Sequence, residues 1–530
     1  MKLSSAYNSI DGSVCIGFAP FLRCGTHERR DLREGIPLEQ IVPYFAFGDS
    51  EVGNIGNFGR LKIKMPIDRV TIDNVVDVVN RALPAHYVNK EDCERLIDIF
   101  KGKQPILKRV KKFRDDINNK VVINHANEIV SFKTSYLLFE PIVYVARNGA
   151  EKNDPEVTDK VARLNSLMAL SDKAAHDMEL ANFVHACGHG IRMTLPSADY
   201  NEDDGYPPFE IFTLDPRYNF IVYNSGLGEK ALCLVSYTDR QFANGDVGEY
   251  HTLTVYSVYT PTEYFEVCNG KVIAHKSHSL GDIPGIEYIN NTARLGSFEV
   301  VESILEAINT LASNRIDATE QTVQSIMCFI NCDIDKEGYK QLQEMCGIKL
   351  KSVDGMQSDI KLLSADLKQA DQQVLMDSLY TQLLHITGMP SQSSGNSSDS
   401  SNNGATIVRN GWYNAEARAK ETDTLWSASE NKLRRIILKI CRDVGVMDLK
   451  PVNVEDKFTR RNYEDILARS QTLTTLIGSK VAPHRAYVAS GVFPDPEEAY
   501  REWEEWEKAH PSEEKPNSSN TNTDTKETGE

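Results

Sequence analysis

A chain of 530 residues with 41% hydrophobic and 25% charged side chains holds apolar material for more than one core, so two to four modules are expected. Its formal net charge of -17 argues against a protein that grips nucleic acid by neutralising phosphates, and leaves open a conduit through which DNA slides without being held. The ten cysteines show no small-domain disulfide spacing and fit free thiols in a reducing compartment, and no stretch reaches the roughly 18 apolar residues of a membrane span.

From Met1 to about Asn80 the pattern is irregular, with Gly48, Gly53, Gly56 and Gly59 and no sustained periodicity. The short apolar run from Val14 to Leu22 ends in Arg23 and does not read as a signal peptide. From about Lys90 the pattern turns helical. Lys101, Lys103, Lys108, Arg109, Lys111, Lys112 and Arg114 form one dense basic patch here, which read plainly is a solvated helix face. A helical stretch follows from Pro155 to Asn182, then a strand pattern from Pro207 to Tyr288. Within it Thr252 to Thr260 reads as a strand, Asn269-Gly270 as a tight hairpin, and Asn224, Ser225 and Gly226 as a second reversal, which together make a small antiparallel sheet.

The run from Ile283 to Asp333 joins a polar turn to a long amphipathic helix. Asn290, Asn291 and Gly296 make the turn, Ser297 is placed to cap the helix, and Glu299 and Glu302 sit where the helix dipole favours negative charge. Phe298, Val301, Leu305, Ile308, Ala312 and Ile316 recur at helical spacing, with Glu306, Asn309, Asn314, Asp317 and Glu320 on other faces. A mixed segment with Gly338, Gly347 and Gly355 runs from Ile330 to Leu363. A second helix, Asp366 to Thr387, carries Leu367, Val374, Leu375, Leu379, Leu383 and Ile386 and stops at Gly388-Met389-Pro390. Ser391 to Gly404 is low-complexity and cannot bury a core. A helix from about Ala405 to Val444 would span roughly 60 Å, with Lys432, Arg434, Arg435, Lys439 and Arg442 toward its C-terminal end. Two or three short helices fill Asp456 to Ala509, and Pro511 to Glu530 is disordered by composition.

Two patterns suggest metals. His185, Cys187 and His189 alternate and would point the same way on a strand, but no fourth ligand has matching spacing, so packing is the stronger reading. Asp333, Asp335, Glu337, Gly338 and Glu344 nearly match an EF-hand loop, with Glu337 too long for its place and Lys340 where an apolar residue is usual. There is no P-loop and no nucleophile elbow, and no spacing singles out an acid–base pair, so enzyme activity is not supported.

The phrases IPGIEYINN, GSFE and INTLASNRIDATEQ, with GKQPIL and NNKVVINHANEIVSFKTSYLLFEPIVY upstream, resemble the siphovirus-type portal proteins of tailed double-stranded-DNA bacteriophages. Phe139-Glu140-Pro141 stands where that family often has a glycine before the proline. The resemblance covers about Cys93 to Trp506. It implies an α+β portal fold assembled as a dodecameric ring: a wing over 81–295, a stem helix over 296–326, a clip over 327–365, and a second stem helix over 366–388. A tunnel loop over 389–404, a long spine helix over 405–455, a crown over 456–509 and a tail over 510–530 would complete it, leaving 1–80 as a divergent segment. It places Ser393, Asn396, Ser398, Asn402 and Asn403 beside translocating DNA, with Asp399 discouraging tight contact, and Asp333, Asp335, Lys336 and Glu337 on the terminase-facing clip. Lys108, Arg109, Lys111 and Lys112 become a candidate contact between subunits. Implied partners are further copies of the chain, terminase, major capsid and scaffolding proteins, head–tail adaptors and double-stranded DNA, with no cofactor and no membrane. The place implied is the capsid vertex of the virion, after assembly in the host cytoplasm. The rival readings are a zinc- or calcium-binding hydrolase, resting on the two metal patterns, and another head–tail connector or minor head protein.

Overall fold

The computed structural model describes residues 59–112, 115–147, 155–201, 204–243, 250–323, 326–330, 359–363, 369–391, 411–460, 466–493 and 496–510. Regular structure starts earlier than the sequence pattern suggests. Strand β1 (Ile63–Met65) and the first turns of helix α1 (Val75–Phe100) occupy a stretch read as irregular. Pro84 lies inside that helix, and only Val75, Val78, Val79 and Ala82 mark its first apolar stripe, so the periodicity is hard to see.

Helix α2 (His125–Leu137) starts at Asn124, whose side chain accepts from the Asn127 N–H at 3.2 Å. After strand β2 (Val143–Ala146), the one helical stretch expected from Pro155 is two, α3 (Pro155–Leu170) and α4 (Lys173–Cys187). The chain breaks at Asp172, with φ 51°, and again at Gly188, with φ 85°. Strands β3 (His189–Pro196), β4 (Phe209–Leu214), β5 (Asn219–Asn224), β6 (Ala231–Ala243), β7 (Tyr250–Tyr259), β8 (Glu263–Cys268), β9 (Lys271–Ser277) and β10 (Gly285–Ile289) follow. They form a sheet ordered β1-β5-β6-β7-β8-β9, with β1 parallel to β5, and a smaller one ordered β10-β3-β4. Asn269 and Gly270 do make the tight hairpin: Cys268 faces Lys271, and the turn residues have φ 49° and 70°, the twist of a type I′ turn. The chain also reverses after Asn224, whose N–H donates to the Lys230 carbonyl at 2.8 Å.

Helix α5 (Glu302–Val323), strands β11 (Ile326–Ile330) and β12 (Asp359–Leu363), and helix α6 (Gln369–Thr387) come next. β11 and β12 pair antiparallel, with Ile326 opposite Leu363 and Ile330 opposite Asp359. The long helix expected from Ala405 is described as 32 residues, α7 (Trp412–Asp443), entered through Gly411 at φ 81°. Strand β13 (Val454–Lys457) pairs with β2, and α8 (Ile466–Gly478), α9 (Pro483–Ser490) and α10 (Pro496–Ala509) end the described chain.

Four apolar cores lie among the described residues, one of them between the two sheets around Ile191, Ile221 and Leu234. The first half of α1 packs on the six-stranded sheet through Val75, Val78 and Val79 with Phe220, Val235 and Phe265. The second half joins α2, α5 and α6 through Leu96, Ile129, Leu305 and Leu383. The largest gathers α3, α4, β4 and β10 around Trp426, Leu433 and Ile437 of α7. Inside it Glu430 is completely buried and accepts from Tyr144 Oη at 2.6 Å and Tyr288 Oη at 2.8 Å. Arg192 Nη1 lies 3.3 Å and Lys173 Nζ 3.4 Å from its two oxygens, and both cations also pair with Asp177. Burial opposes the charge of Glu430, yet Lys173, Arg192 and the two hydroxyls hold its carboxyl below the ordinary value. Replacing Glu430 with alanine leaves two buried cations sharing Asp177 alone and two buried tyrosine hydroxyls without their acceptor, so Glu430→Ala is expected to cost about 3–5 kcal/mol in chemical denaturation. The exposed neighbour Glu421→Ala should stay within about 0.5 kcal/mol of the parent.

Candidate functional site

The segment from β10 into α5 anchors a projecting element. Asn290 and Asn291 each donate a side-chain N–H to the Leu295 carbonyl, at 2.8 and 3.0 Å, and close the turn. A Cβ on Gly296 would collide with the Ala186 carbonyl, so only glycine lets the turn sit against the end of α4. Ser297 does not cap the helix. Its hydroxyl lies 3.1 Å from His185 Nδ1, and Glu299 takes over at the helix start by accepting the Gly296 N–H at 2.8 Å. The other Glu299 oxygen pairs with Arg60 at 2.5 Å, which ties residues 59–60 to the root of α5.

Phe298, Val301, Leu305, Ile308 and Ala312 are buried as their spacing predicts, but Ile316 is 46% exposed. Asn309 and Asp317, expected on free faces, are buried with Ser313 between them. These three side chains, four residues apart, receive alternate backbone N–H groups of an extended strap: Ile123 to Asn309 at 2.7 Å, Val121 to Ser313 at 3.0 Å and Asn119 to Asp317 at 2.8 Å. Four helical residues rise about 6 Å and two extended residues about 6.6 Å, so the two repeats run in step. Sequence reasoning missed this strap, although a polar residue at every fourth helical position was its visible signal.

The strap divides the basic patch. Arg109 and Lys111 converge on Asp317 at 3.2 and 2.5 Å, while Lys108 and Lys112 stay exposed beside the 85% exposed Val110. Lys108 ends a 3-10 turn and Arg109 to Lys112 lie on the irregular chain after it, so these residues are not one solvated helix face. Burial works against the Asp317 charge, but Lys111 and Asn119 hold its carboxyl below the usual range.

Helices α5 and α6 run side by side in opposite directions, joined by an Arg315 to Gln373 hydrogen bond of 2.7 Å, with Tyr380 donating to Glu128 of α2 at 2.7 Å. The apolar set of α6 splits. Leu383 is buried near the body, whereas Val374, Leu375 and Ile386 are exposed at 69%, 49% and 42%. Gly388, at φ 71°, ends α6, and Pro390 lies against Gly411, so the chain leaves after α6 and re-enters α7 at one place.

His185, Cys187 and His189 do not lie on one strand. Gly188 separates the end of α4 from β3, sending His185 to Asn290 and Ser297 and His189 toward Cys93 and Glu287, so the three side chains do not converge. Among the described residues no group of three or more potential metal ligands comes together. Asp333, Asp335, Lys336 and Glu337, the rest of the EF-hand-like run, and Ser393, Asn396, Ser398, Asn402 and Asn403 lie outside the described residues. Among the described residues no helix is long and apolar enough to cross a membrane.

These features define an α+β subunit in which a helix pair, joined through a two-stranded ribbon, stands on a body held by buried charge. The sequence pattern of the phage portal proteins of SPP1 Gp6-like type matches residues 81–512, and the chain belongs to that family. It is thus a bacteriophage capsid protein with a portal role in DNA packaging. A search of curated proteins finds no match. The family match starts after β1, so the Arg60 anchor lies outside it. The strap yields a direct expectation: Asp317→Ala should free Arg109 and Lys111 and speed trypsin cleavage between Lys108 and Lys120 several-fold at unchanged overall helicity, while equal cleavage rates would refute the anchoring role.

Proposed function

We propose that copies of this chain close into a ring, dodecameric as in the family's assembled form, with α5 and α6 as the stem that faces a central DNA channel. The observation that carries the reading is the exposed apolar row Val374, Leu375 and Ile316 on a helix pair of a portal-family chain. A lone subunit gains nothing by exposing such a row to water, whereas a neighbour in a closed ring covers it by heterologous contact. The segment around β11 and β12 is then the terminase-facing clip, with Asp333, Asp335, Lys336 and Glu337 in its span, and residues 389–404 are the loop nearest DNA. Ser393, Asn396, Ser398, Asn402 and Asn403 would offer neutral, sequence-blind contacts there, and weak contact suits a conduit.

Lys108 and Lys112 remain the basic residues open to an acidic neighbour, since Arg109 and Lys111 are engaged within the chain. We read the chain as non-catalytic and its partners as terminase, capsid and scaffolding proteins and head–tail adaptors, met at the virion vertex after assembly in the host cytoplasm. Light scattering with negative-stain imaging tests the ring. The parent is expected as a holed particle of about twelve subunit masses, and Val374→Asp with Leu375→Asp should leave folded monomers. Rings that persist in that variant would remove α6 from the interface.

A further inference from the structure

A small cleft opens between α2, the end of α4, the turn after α6 and the first half of α7. Lys133, Arg418 and His185 are among the residues lining it, with Tyr136, Gly388 and Thr422, and no carboxylate is among them. In a chain of net charge -17 that is an unusual local excess of positive charge. Along α7, Glu416 accepts from Tyr136 Oη at 2.8 Å and Arg460 at 2.6 Å, and Asp423 pairs with Arg460, while Glu421, one turn from Arg418, is exposed and outside the lining. Burial, and then Arg418, push the Lys133 ammonium down to about 8, as expected of a desolvated cation without a counter-charge.

The floor of the cleft has the opposite polarity. Asn290 donates its Nδ2–H to the Leu295 carbonyl at 2.8 Å, which turns its Oδ1 toward His185 Nδ1 at 3.1 Å. The hydrogen-bond network therefore assigns the proton of the neutral ring to Nδ1. His185 Nε2 is left as a bare acceptor, buried and without a hydrogen-bond partner among the described residues. Two cations and one unpaired acceptor match an oxyanion that is negative on some oxygens and protonated on another.

We propose that the cleft binds a phosphate group carrying a proton, as free phosphate or a phosphate monoester, with Lys133 and Arg418 taking the charged oxygens and His185 Nε2 accepting the P–O–H. Sulfate, fully ionised at neutral pH, sets a lone pair against Nε2 and is the discriminating control. The inference does not rest on the ring reading.

Isothermal titration of the full-length protein with inorganic phosphate and with sulfate at neutral pH tests it. Phosphate should bind about tenfold or more tightly than sulfate. Lys133→Gln and Arg418→Gln should each weaken phosphate about tenfold or more, with Lys420→Gln, exposed on the same helix, unchanged. Circular dichroism of each variant checks that it is folded. No heat from either anion, or phosphate affinity unchanged in both cleft variants, overturns the site, and equal affinity for sulfate overturns the role given to Nε2. A short duplex without terminal phosphates is the third arm, and its competing with phosphate would move the site to nucleic-acid phosphodiesters and overturn the monoester reading.

Discussion

The rest of the structure hangs on Glu430. A carboxylate at the middle of a 32-residue helix is taken fully out of water, which is tolerable only because four other elements bring partners to it: Tyr144 from β2, Lys173 and Asp177 from α4, Arg192 from β3 and Tyr288 from β10. Two cations and two anions balance inside one apolar shell. Such a cluster adds little net stability over a well-packed apolar core, but a misplaced helix would strand each of its charges, so it specifies one docking of α7. Apolar packing around Trp426 and Leu433 supplies the area, and the charges supply the register.

The same division of labour recurs at the root of the helix pair. Phe298, Val301 and Leu305 bury the base of α5, while Glu299 with Arg60 and the Asn309, Ser313, Asp317 ladder fix its direction and strap it to the preceding chain. Farther along α5 and α6 the apolar core runs out and hydrophobic residues become exposed. If copies of the chain close into the proposed ring, a base fixed in this way sets the direction of the helix pair before a neighbour arrives, and less order has to be imposed on contact.

Much of the architecture was legible in the sequence because it rests on local rules. The period of the α5 stripe, the Asn269-Gly270 turn and the glycine stop after α6 each depend on residues a few positions apart. What stayed hidden depends on partners far away in the chain. Ser297 looked like a cap until His185 claimed it, and the basic patch looked like one surface until Asp317, some two hundred residues on, drew in Arg109 and Lys111. The histidines of the HACGH run looked like candidate ligands until the break at Gly188 sent them to different partners.

The sequence by itself determined the family, the mixed α+β class and the main helical and strand stretches after about residue 90, since motif identity and hydrophobic period are properties of contiguous residues. Only the tertiary structure decided which polar residues are buried, which cations of the basic patch stay exposed, and that residues 59–80 belong to the same fold. Burial and pairing are set by elements that meet only after the chain has folded. A carboxylate such as Glu430 carries no sign in its own neighbourhood of the four elements that will surround it.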